Sequence, residues 1–361
     1  MKYNLEEIKN LTIDVSATLI AAMKQMDEND CKSLIVTKEA AYFALISIGD
    51  IQRQILSKGN LNYAVKDVLR TNITVGTIED SPEAIREMME ERRIEVLPIL
   101  DAEKKLVDVI FWRDRYDSRQ KKKKNIDNIP VVIMAGGKGT RLKPITDVIP
   151  KPLVPLGGKP IVETIIDSFC EEGCTNFYLS VNYKADFIKF HFDSVENKEY
   201  NVHYFKEDSP MGTAGSLRLL KDIIKTTFFV SNCDILIDQD YHNILKYHRD
   251  NKNELTAVAA IKEYNIPYGT MELSENGLLT NLTEKPNLTY YVNAGVYILE
   301  PHLIAEIPEE EGLYHITHLM ESILARNGKV GVFPVSEGAW FDIGNWKEYD
   351  KSLLNFKQRF G

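Results

Sequence analysis

The chain has 361 residues, of which 44% are hydrophobic and 27% charged, and its formal net charge is -9. This length and composition are typical of a globular protein with two domains. The negative charge argues against a nucleic-acid-binding protein, because such proteins need a basic face. We find no signal-peptide pattern and no apolar run long enough to span a bilayer, so we expect a cytoplasmic protein with no membrane partner.

The four cysteines do not follow a known metal-binding or disulfide pattern. Cys170 and Cys174 are the two that lie close in sequence, and no further Cys or His cluster completes a metal site with them. We therefore expect reduced thiols, as is usual in the cytoplasm.

The first third of the chain contains an internal repeat with a period of about 65 residues. The residues that follow Ser16 resemble those that follow Ser81: each serine stands where a helix N-cap is expected, and apolar residues at helical spacing come next. Two short strands follow in each copy, and an aspartate, Asp50 or Asp114, comes after the second strand. One copy is too small to bury its own faces, so we expect the two to pack together.

This repeat resembles a tandem pair of CBS domains, a family that commonly binds adenosine or guanosine nucleotides between its repeats. The family's ribose-binding signature is a Ser or Thr three residues before an Asp, and Ser47 with Asp50 matches it. The second copy keeps the acid at Asp114 but has Phe111 in place of the hydroxyl residue. The resemblance implies an adenine or guanine nucleotide effector near Asp50. The alternative is that both aspartates cap helices and that the pair serves assembly of a homo-oligomer.

A lysine-rich segment separates this first part from the rest of the chain. Residues 121–128 contain four consecutive lysines and end just before a strongly apolar strand. A solvated linker is the plain interpretation, because nothing around the lysines extends a basic surface. We therefore predict a first domain at 1–120, with repeats at about 8–60 and 70–120, and a second domain at 129–361.

The second domain alternates strand-like and helix-like segments. Its apolar strand patterns after the first strand lie at 177–181, 227–231, 255–261 and 291–298. This alternation predicts an α/β fold, with a Rossmann-like, mixed but mostly parallel sheet covered by helices. Ligands of such sheets bind beyond the carboxyl ends of the strands, so the functional residues are expected there.

The most informative segment is a glycine-rich turn at the end of the first strand of this domain. The turn consists of Ala135, Gly136, Gly137, Lys138, Gly139, Thr140 and Arg141. It matches neither the dinucleotide nor the Walker glycine pattern. Glycines after a strand nevertheless expose backbone N–H groups to phosphate oxygens. Arg141, together with Lys151 fixed between two prolines, suits the charge of a nucleotide triphosphate.

Two aspartates are predicted to hold a divalent cation. Asp234 comes directly after a strand, and Asp342 lies late in the chain. Phosphates would repel a carboxylate at this edge of the sheet unless a cation lay between them. Mg²⁺ suits the position because it needs only one or two protein carboxylates when phosphates and water complete its shell. For either acid, capping of a helix is the alternative.

Two further loops complete the predicted site. Gly212 and Thr213 belong to a second glycine-rich loop that opens a helix, and we assign them to nucleotide binding. Later in the chain, Glu284, Lys285 and Asn293 combine an acceptor, a cation and an amide, a set suited to a sugar phosphate.

Residues 129–361 resemble the sugar-1-phosphate nucleotidyltransferases, whose fold is GT-A-like. The matching motifs, in order, are GGxGTR at 136–141, PKP around Lys151, the Asp at 234, EKP at 284–286 and the late Asp at 342. The β-helix acyltransferase domain of some relatives is not expected here.

The resemblance implies a Mg²⁺-dependent reaction in which a sugar 1-phosphate attacks the α-phosphorus of an NTP. It places Arg141 on the β- and γ-phosphates and Mg²⁺ on Asp234 and Asp342. Lys151 and Lys285 would bind the sugar phosphate and transition-state oxygens. The hexose would be held by Gly269, Glu284 and Asn293.

Glu207 bears on the choice of base, because relatives that use UTP or dTTP have a glutamine in this neighbourhood. A carboxylate only accepts hydrogen bonds, and guanine presents two donors side by side, so Glu207 favours GTP. A solvated loop position for Glu207 is the alternative, and UTP, CTP or dTTP remain open.

The CBS repeats ahead of a transferase domain resemble the glucosamine-1-phosphate guanylyltransferases of legionaminic acid biosynthesis, which favours glucosamine 1-phosphate as the acceptor. Mannose and heptose 1-phosphates remain alternative acceptors. An alternative class of protein is a nucleotide-binding regulator without turnover.

Overall fold

The computed structural model describes residues 5–39, 41–70, 73–92, 94–112, 126, 128–207, 209–309 and 312–360. The chain divides into two compact units, Met1–Lys122 and Lys123–Gly361. The aspartate of the second predicted CBS repeat, Asp114, and the lysines of the predicted linker lie outside the described residues.

The first unit contains the same small sheet twice. Its helices α1–α4 are Leu5–Asn10, Leu19–Glu28, Ile48–Lys58 and Pro82–Arg92. Its strands β1–β6 are Thr12–Asp14, Ser33–Lys38, Ala41–Ser47, Gly76–Thr77, Val96–Leu100 and Leu106–Phe111. Among the described residues these strands form two three-stranded sheets, β1-β2-β3 and β4-β5-β6. In each sheet the first pair is parallel and the second antiparallel.

The two copies share one apolar core. Ile35 of the first sheet belongs to the same buried cluster as Val96, Val109 and Phe111 of the second. Strand β5 is buried along its whole length, and β2 over its first four residues, which explains why both read as continuous apolar runs. Each copy thereby covers the face that the other could not bury alone.

One helix start differs from the prediction. The expected N-cap of α2 was Ser16, but the N-cap is Thr18, whose hydroxyl accepts from the N–H of Ala21 at 3.1 Å. Ser16 instead donates its N–H to the Asp14 carboxylate at 2.9 Å in a local turn, so the helix begins later. In the second copy Ser81 does cap its helix, accepting from the N–H of Ala84 at 3.2 Å.

The second unit is built on one large sheet. Its helices α5–α11 are Ile145–Val148, Ile161–Glu171, Ala185–Ser194, Gly212–Gly215, Tyr241–Asn251, Ile316–Ala325 and Trp346–Phe360. Its strands β7–β13 are Val131–Met134, Pro155–Leu156, Lys159–Pro160, Asn176–Val181, Asn201–Lys206, Phe228–Asn232 and Ile235–Ile237. Strands β14–β19 are Leu255–Asn265, Thr270–Leu273, Leu279–Thr283, Asn287–Leu299, Val330–Ser336 and Trp340–Asp342.

The main sheet of the described residues has seven strands in the order β11-β10-β7-β12-β17-β14-β18. Strand β17 is antiparallel to both of its neighbours, and the remaining pairs are parallel. A mixed, mostly parallel α/β sheet is therefore confirmed. The carboxyl ends of β11, β10, β7 and β12 are neighbours, which brings the loops after these strands to one edge.

The helix α6 shows how sequence pattern sets the packing. It buries Ile161, Val162, Ile165, Ile166 and Phe169, which lie on one face of a helix. The helix ends where Gly173 adopts a φ of +103°. None of the helices in the described part of the chain combines the length and the apolar character that a membrane span requires.

Candidate active site

The glycine-rich turn after β7 is closely packed at Gly139. This residue has a φ of +64°, and an added Cβ would lie 2.9 Å from carbons of both Lys151 and Thr146. The Thr146 hydroxyl donates to the Gly139 carbonyl at 2.9 Å and fixes the turn. A Cβ at Gly137 would meet nothing within 4 Å, so the backbone there is open. The turn thus packs on the Lys151 segment while part of its backbone stays accessible to a ligand.

A cavity of about 390 Å³ opens beside this turn. Eight of the nine predicted nucleotide-binding residues line it: Gly136, Gly137, Gly139, Thr140, Arg141, Glu207, Gly212 and Thr213. Ala135 does not, because it is fully buried, and its N–H donates to the Ser180 carbonyl and hydroxyl at 3.2 and 3.0 Å. Ala135 therefore anchors the turn to the neighbouring strand β10 and is not available to a ligand.

Three of the four predicted catalytic side chains meet around one glycine, and the fourth, Lys151, pairs with one of them. An added Cβ on Gly344 would lie 2.8 Å from Asp342 Oδ1, 3.0 Å from Asp234 Oδ2 and 3.2 Å from Arg141 Nη2. Lys151 forms an ion pair with Asp234, and both side chains are largely buried. The short strands β13 and β19 produce this arrangement, because their antiparallel pairing sets the residue after Asp234 opposite Asp342.

The charge of this cluster suits a divalent cation. Burial raises the pKa of Asp342, and the neighbouring Asp234 carboxylate acts in the same direction, although the Gly344 N–H, Lys151 and Arg141 oppose it. Two carboxylates with hard oxygen atoms therefore face the same small volume, and a cation between them would relieve their repulsion. This donor set fits Mg²⁺, which is satisfied by one or two protein carboxylates.

Glu207 lies at the wall of the cavity, and only 5% of it is exposed. Its Oε1 would be 3.1 Å from a Cβ added to Gly136, so a side chain at that glycine would press on the carboxylate. The N–H of Met211 lies 3.4 Å from Oε2, and the Asn182 amide donates to the Glu207 carbonyl at 2.7 Å. Glu207 is therefore buried in the cavity wall and does not occupy the solvated loop position that was the alternative.

A segment that the sequence did not single out supports the second glycine loop. The Tyr314 carbonyl accepts from the N–H groups of Ala214 and Gly215 at 3.0 and 2.9 Å. A Cβ added to Gly212 would lie 2.6 Å from this carbonyl, so only glycine fits. The neighbouring Leu313 lines the cavity. No local motif marks this segment, because its contacts join residues about a hundred positions apart.

The predicted sugar-phosphate residues lie on a different part of the unit. Gly269 and Glu284 are adjacent, since a Cβ on Gly269 would be 2.9 Å from Glu284 Oε2. Glu284, Lys285 and Asn293 are exposed, and none of these four lines the cavity. Asn293 is nonetheless linked to the cavity wall, because a Cβ on Gly295, two residues on, would lie 2.6 Å from Asn232 Nδ2.

In the first unit, the Ser47–Asp50 pair caps α3. Ser47 donates both its N–H and its hydroxyl to Asp50, at 2.9 and 2.6 Å. Arg53 and Arg70 also bind the Asp50 carboxylate. Burial raises the pKa of Asp50, but the hydrogen bonds from Arg70 and Ser47 outweigh burial, and the net shift is downward. Asp50 therefore has a structural role whether or not it also meets a ligand.

Comparison with known proteins shows similarity to enzymes that handle sugar phosphates. A mannose-1-phosphate guanyltransferase from Pichia angusta is 34% identical over 227 residues, which cover 60% of this chain and 61% of that protein. The Drosophila melanogaster mannose-1-phosphate guanylyltransferase catalytic subunit beta is 32% identical over 231 residues, 60% of each chain. This chain thus spans about three fifths of the length of these relatives.

Solved structures share the fold of the second unit. HddC from Yersinia pseudotuberculosis superimposes with a TM-score of 0.50 at 27% identity, covering 63% of this chain and 99% of that one. A candidate glucose-1-phosphate thymidylyltransferase from Bacillus anthracis, at 20% identity, covers 64% of this chain and 96% of that one with a TM-score of 0.50. The model of one family, described as nucleotidyl transferase, matches residues 130–358. The chain therefore belongs to the nucleotidyl transferase family.

Proposed function

We propose that the second unit transfers GMP from GTP to a sugar 1-phosphate and releases pyrophosphate. The observation that carries this proposal is the meeting of Arg141, Asp234 and Asp342 around Gly344, beside a cavity lined by two glycine-rich loops. The names of the relatives from Pichia angusta and Drosophila melanogaster support guanylyl transfer.

The proposed reaction is an in-line displacement at phosphorus. An oxygen of the sugar 1-phosphate attacks the α-phosphorus of GTP and forms a new P–O bond. The bond from the α-phosphorus to the oxygen bridging to the β-phosphorus breaks, and that oxygen leaves with pyrophosphate. Such transfers depend mainly on positioning and on neutralising charge.

Each side chain of the Arg141, Lys151, Asp234 and Asp342 cluster would have a separate role in this reaction. Arg141 lies at the cavity and would bind the β- and γ-phosphates through its planar fork. Lys151 contacts Asp234 and would neutralise oxygens near the α-phosphate. Asp234 and Asp342 would hold Mg²⁺, which supplies Lewis-acid neutralisation of the phosphates.

Glu207 is proposed to read guanine, and its exchange tests the choice of base. A Glu207→Gln variant should lose at least about 10-fold of the preference for GTP over UTP, because an amide turns a donor toward the two-donor edge of guanine. The measurement is kcat/KM for pyrophosphate release with GTP, UTP, CTP and dTTP. Glu196→Gln, an exposed exchange on another loop, is the matched control. A wild-type preference for UTP or dTTP would refute the assignment of GTP.

Glucosamine 1-phosphate is our proposed acceptor, as expected for a place in legionaminic acid biosynthesis. Glu284 is exposed beside Gly269 and could pair with an amino group, although it would also accept from a hydroxyl. Mannose 1-phosphate is the acceptor named for the curated relatives. A pyrophosphate-release screen with glucosamine, mannose and heptose 1-phosphates decides among them by the highest kcat/KM.

The first unit is proposed to be a CBS pair that binds a nucleotide effector and supports a homo-oligomer. Arg53 and Arg70, held by Asp50, offer half-exposed guanidinium groups to phosphates. Calorimetric titration of the full chain with AMP, ATP and GDP should give a binding step that Asp50→Ala removes. Heat that is the same in both proteins would contradict a nucleotide site at Asp50 and favour the pair as an assembly module. Light scattering reports the oligomeric state.

A further inference from the structure

The side-chain amide of Asn293 has a fixed orientation. The N–H of Gly295 donates to Asn293 Oδ1 at 3.1 Å, and the Tyr297 hydroxyl donates to the same oxygen at 2.8 Å. A backbone N–H is only a donor, so the amide atom that it meets must be the carbonyl oxygen. Both lone pairs of that oxygen are then used. The NH₂ group points the other way, and no described residue accepts from it.

An irregularity in β17 makes this contact between residues four apart. In a regular strand such residues are about 13 Å apart, too far for a short hydrogen bond between their side chains. Against β14, the register shifts so that Ala257 pairs with Tyr297 whereas Ala259 pairs with Asn293. Gly295 lies inside this bulge with a φ of +79°. The bulge bends the strand and turns the Tyr297 hydroxyl toward the Asn293 amide.

Tyr297 is a rigid anchor for an exposed group. Only 4% of Tyr297 is exposed, and its ring packs in the core cluster that contains Val132, Phe228 and Leu255. Burial raises the pKa of Tyr297 to about 12, so the hydroxyl keeps its proton at ordinary pH. Asn293, in contrast, is exposed and would sample several rotamers if nothing held it.

We infer that Tyr297 is a positioning residue, which holds Asn293 so that its NH₂ group faces the sugar 1-phosphate. This inference rests on the proposed function. Two N–H donors can bind only groups that present lone pairs, so the contact made by Asn293 would be to sugar hydroxyl or phosphate oxygens. Tyr297 itself, being buried, would act only through Asn293.

The test is a double-variant cycle on the full chain with GTP and the best acceptor. Tyr297→Phe keeps the ring and should raise the KM for the sugar 1-phosphate about fivefold, the scale of one net hydrogen bond, with the KM for GTP unchanged. Asn293→Ala should raise the same KM at least about 10-fold. Adding Tyr297→Phe to Asn293→Ala should change it by less than about twofold, because the hydroxyl then has nothing to position.

Two results would overturn the inference: an unchanged KM in Tyr297→Phe, or losses that add fully in the double variant. Tyr290→Phe removes an exposed hydroxyl from the same strand and is the control for a general effect. An absence of transfer in the wild type would reject the proposed function instead. The inference is then tested by NMR of protein labelled with ¹⁵N-asparagine, in which the chemical shifts of the Asn293 NH₂ group are measured. Those signals are identified by their loss in Asn293→Ala. Tyr297→Phe should shift those signals and Tyr290→Phe should not, and unchanged signals in Tyr297→Phe would refute it.

Discussion

Asp234→Asn is expected to lower the turnover of guanylyl transfer at least about 100-fold, the scale for loss of one preorganised charge partner. The exchange keeps the shape of the side chain but removes the charge that pairs with Lys151 and faces the same glycine as Asp342. It therefore removes a proposed metal ligand and the partner of Lys151 in one step. The measurement is kcat from pyrophosphate release at saturating GTP and Mg²⁺, with the melting temperature as a check on folding.

The control for this exchange is Asp222→Asn, whose side chain is 98% exposed and does not line the cavity. It should change turnover by less than about twofold, as surface exchanges usually do. Arg141→Ala should show a loss similar to that of Asp234→Asn, since it removes the proposed grip on the leaving phosphates. Near-normal turnover in either Asp234→Asn or Arg141→Ala would contradict the assigned mechanism.

Gly344→Ala is expected to be nearly as damaging, although it removes no functional group. The new methyl would lie 2.8 Å from an Asp342 oxygen, closer than Cβ atoms approach other atoms in proteins, and 3.0 Å from an Asp234 oxygen, which is also a tight contact. Because all three neighbours belong to the proposed catalytic cluster, relief of the contact must displace at least one of its side chains. A displacement of about 1 Å can cost about 100-fold in rate, so we expect kcat to fall by that order.

Gly158→Ala separates this effect from a general cost of replacing glycine. A Cβ at Gly158 would meet nothing within 4 Å, so turnover and melting temperature should stay close to wild type. If crowding displaces the two carboxylates, Gly344→Ala should also need a higher Mg²⁺ concentration than the wild type for half-maximal turnover. Equal kinetics in the two alanine variants would refute the role given to Gly344.

The parts of the site that could be predicted from the sequence are those that lie in short motifs. The turn at 136–141 and the proline-flanked Lys151 each indicate phosphate binding from neighbouring residues alone, and the structure brings them to one cavity with Asp234. Five of the seven strands of the main sheet were predicted from apolar runs, because buried strands leave that pattern, whereas β11 and β18 were not predicted. The directions of the strands were not predicted, because side chains alternate in the same way along parallel and antiparallel strands. Nothing in residues 291–298 indicates that β17 runs antiparallel to its neighbours.

What sequence did not predict depends on contacts between distant segments. Gly344 matters because β13 pairs with β19, a pairing that no local pattern encodes. The support that Tyr314 gives to the Gly212 loop is of the same kind. The N-cap of α2 was assigned to Ser16 instead of Thr18 for a local reason. Ser16 could either cap the helix or close the turn with Asp14, and in the structure it closes the turn.

The antiparallel strand β17 joins the two parts of the proposed site. Its last residues pair with β12 inside the sheet, next to the cavity, while its first residues pair with β14 and extend toward Glu284 and Gly269. Under the proposed function, substitutions on the extended portion would alter the choice of acceptor and leave the residues around the nucleotide unchanged. A lineage with this architecture could then diversify its sugars while keeping one phosphoryl chemistry intact.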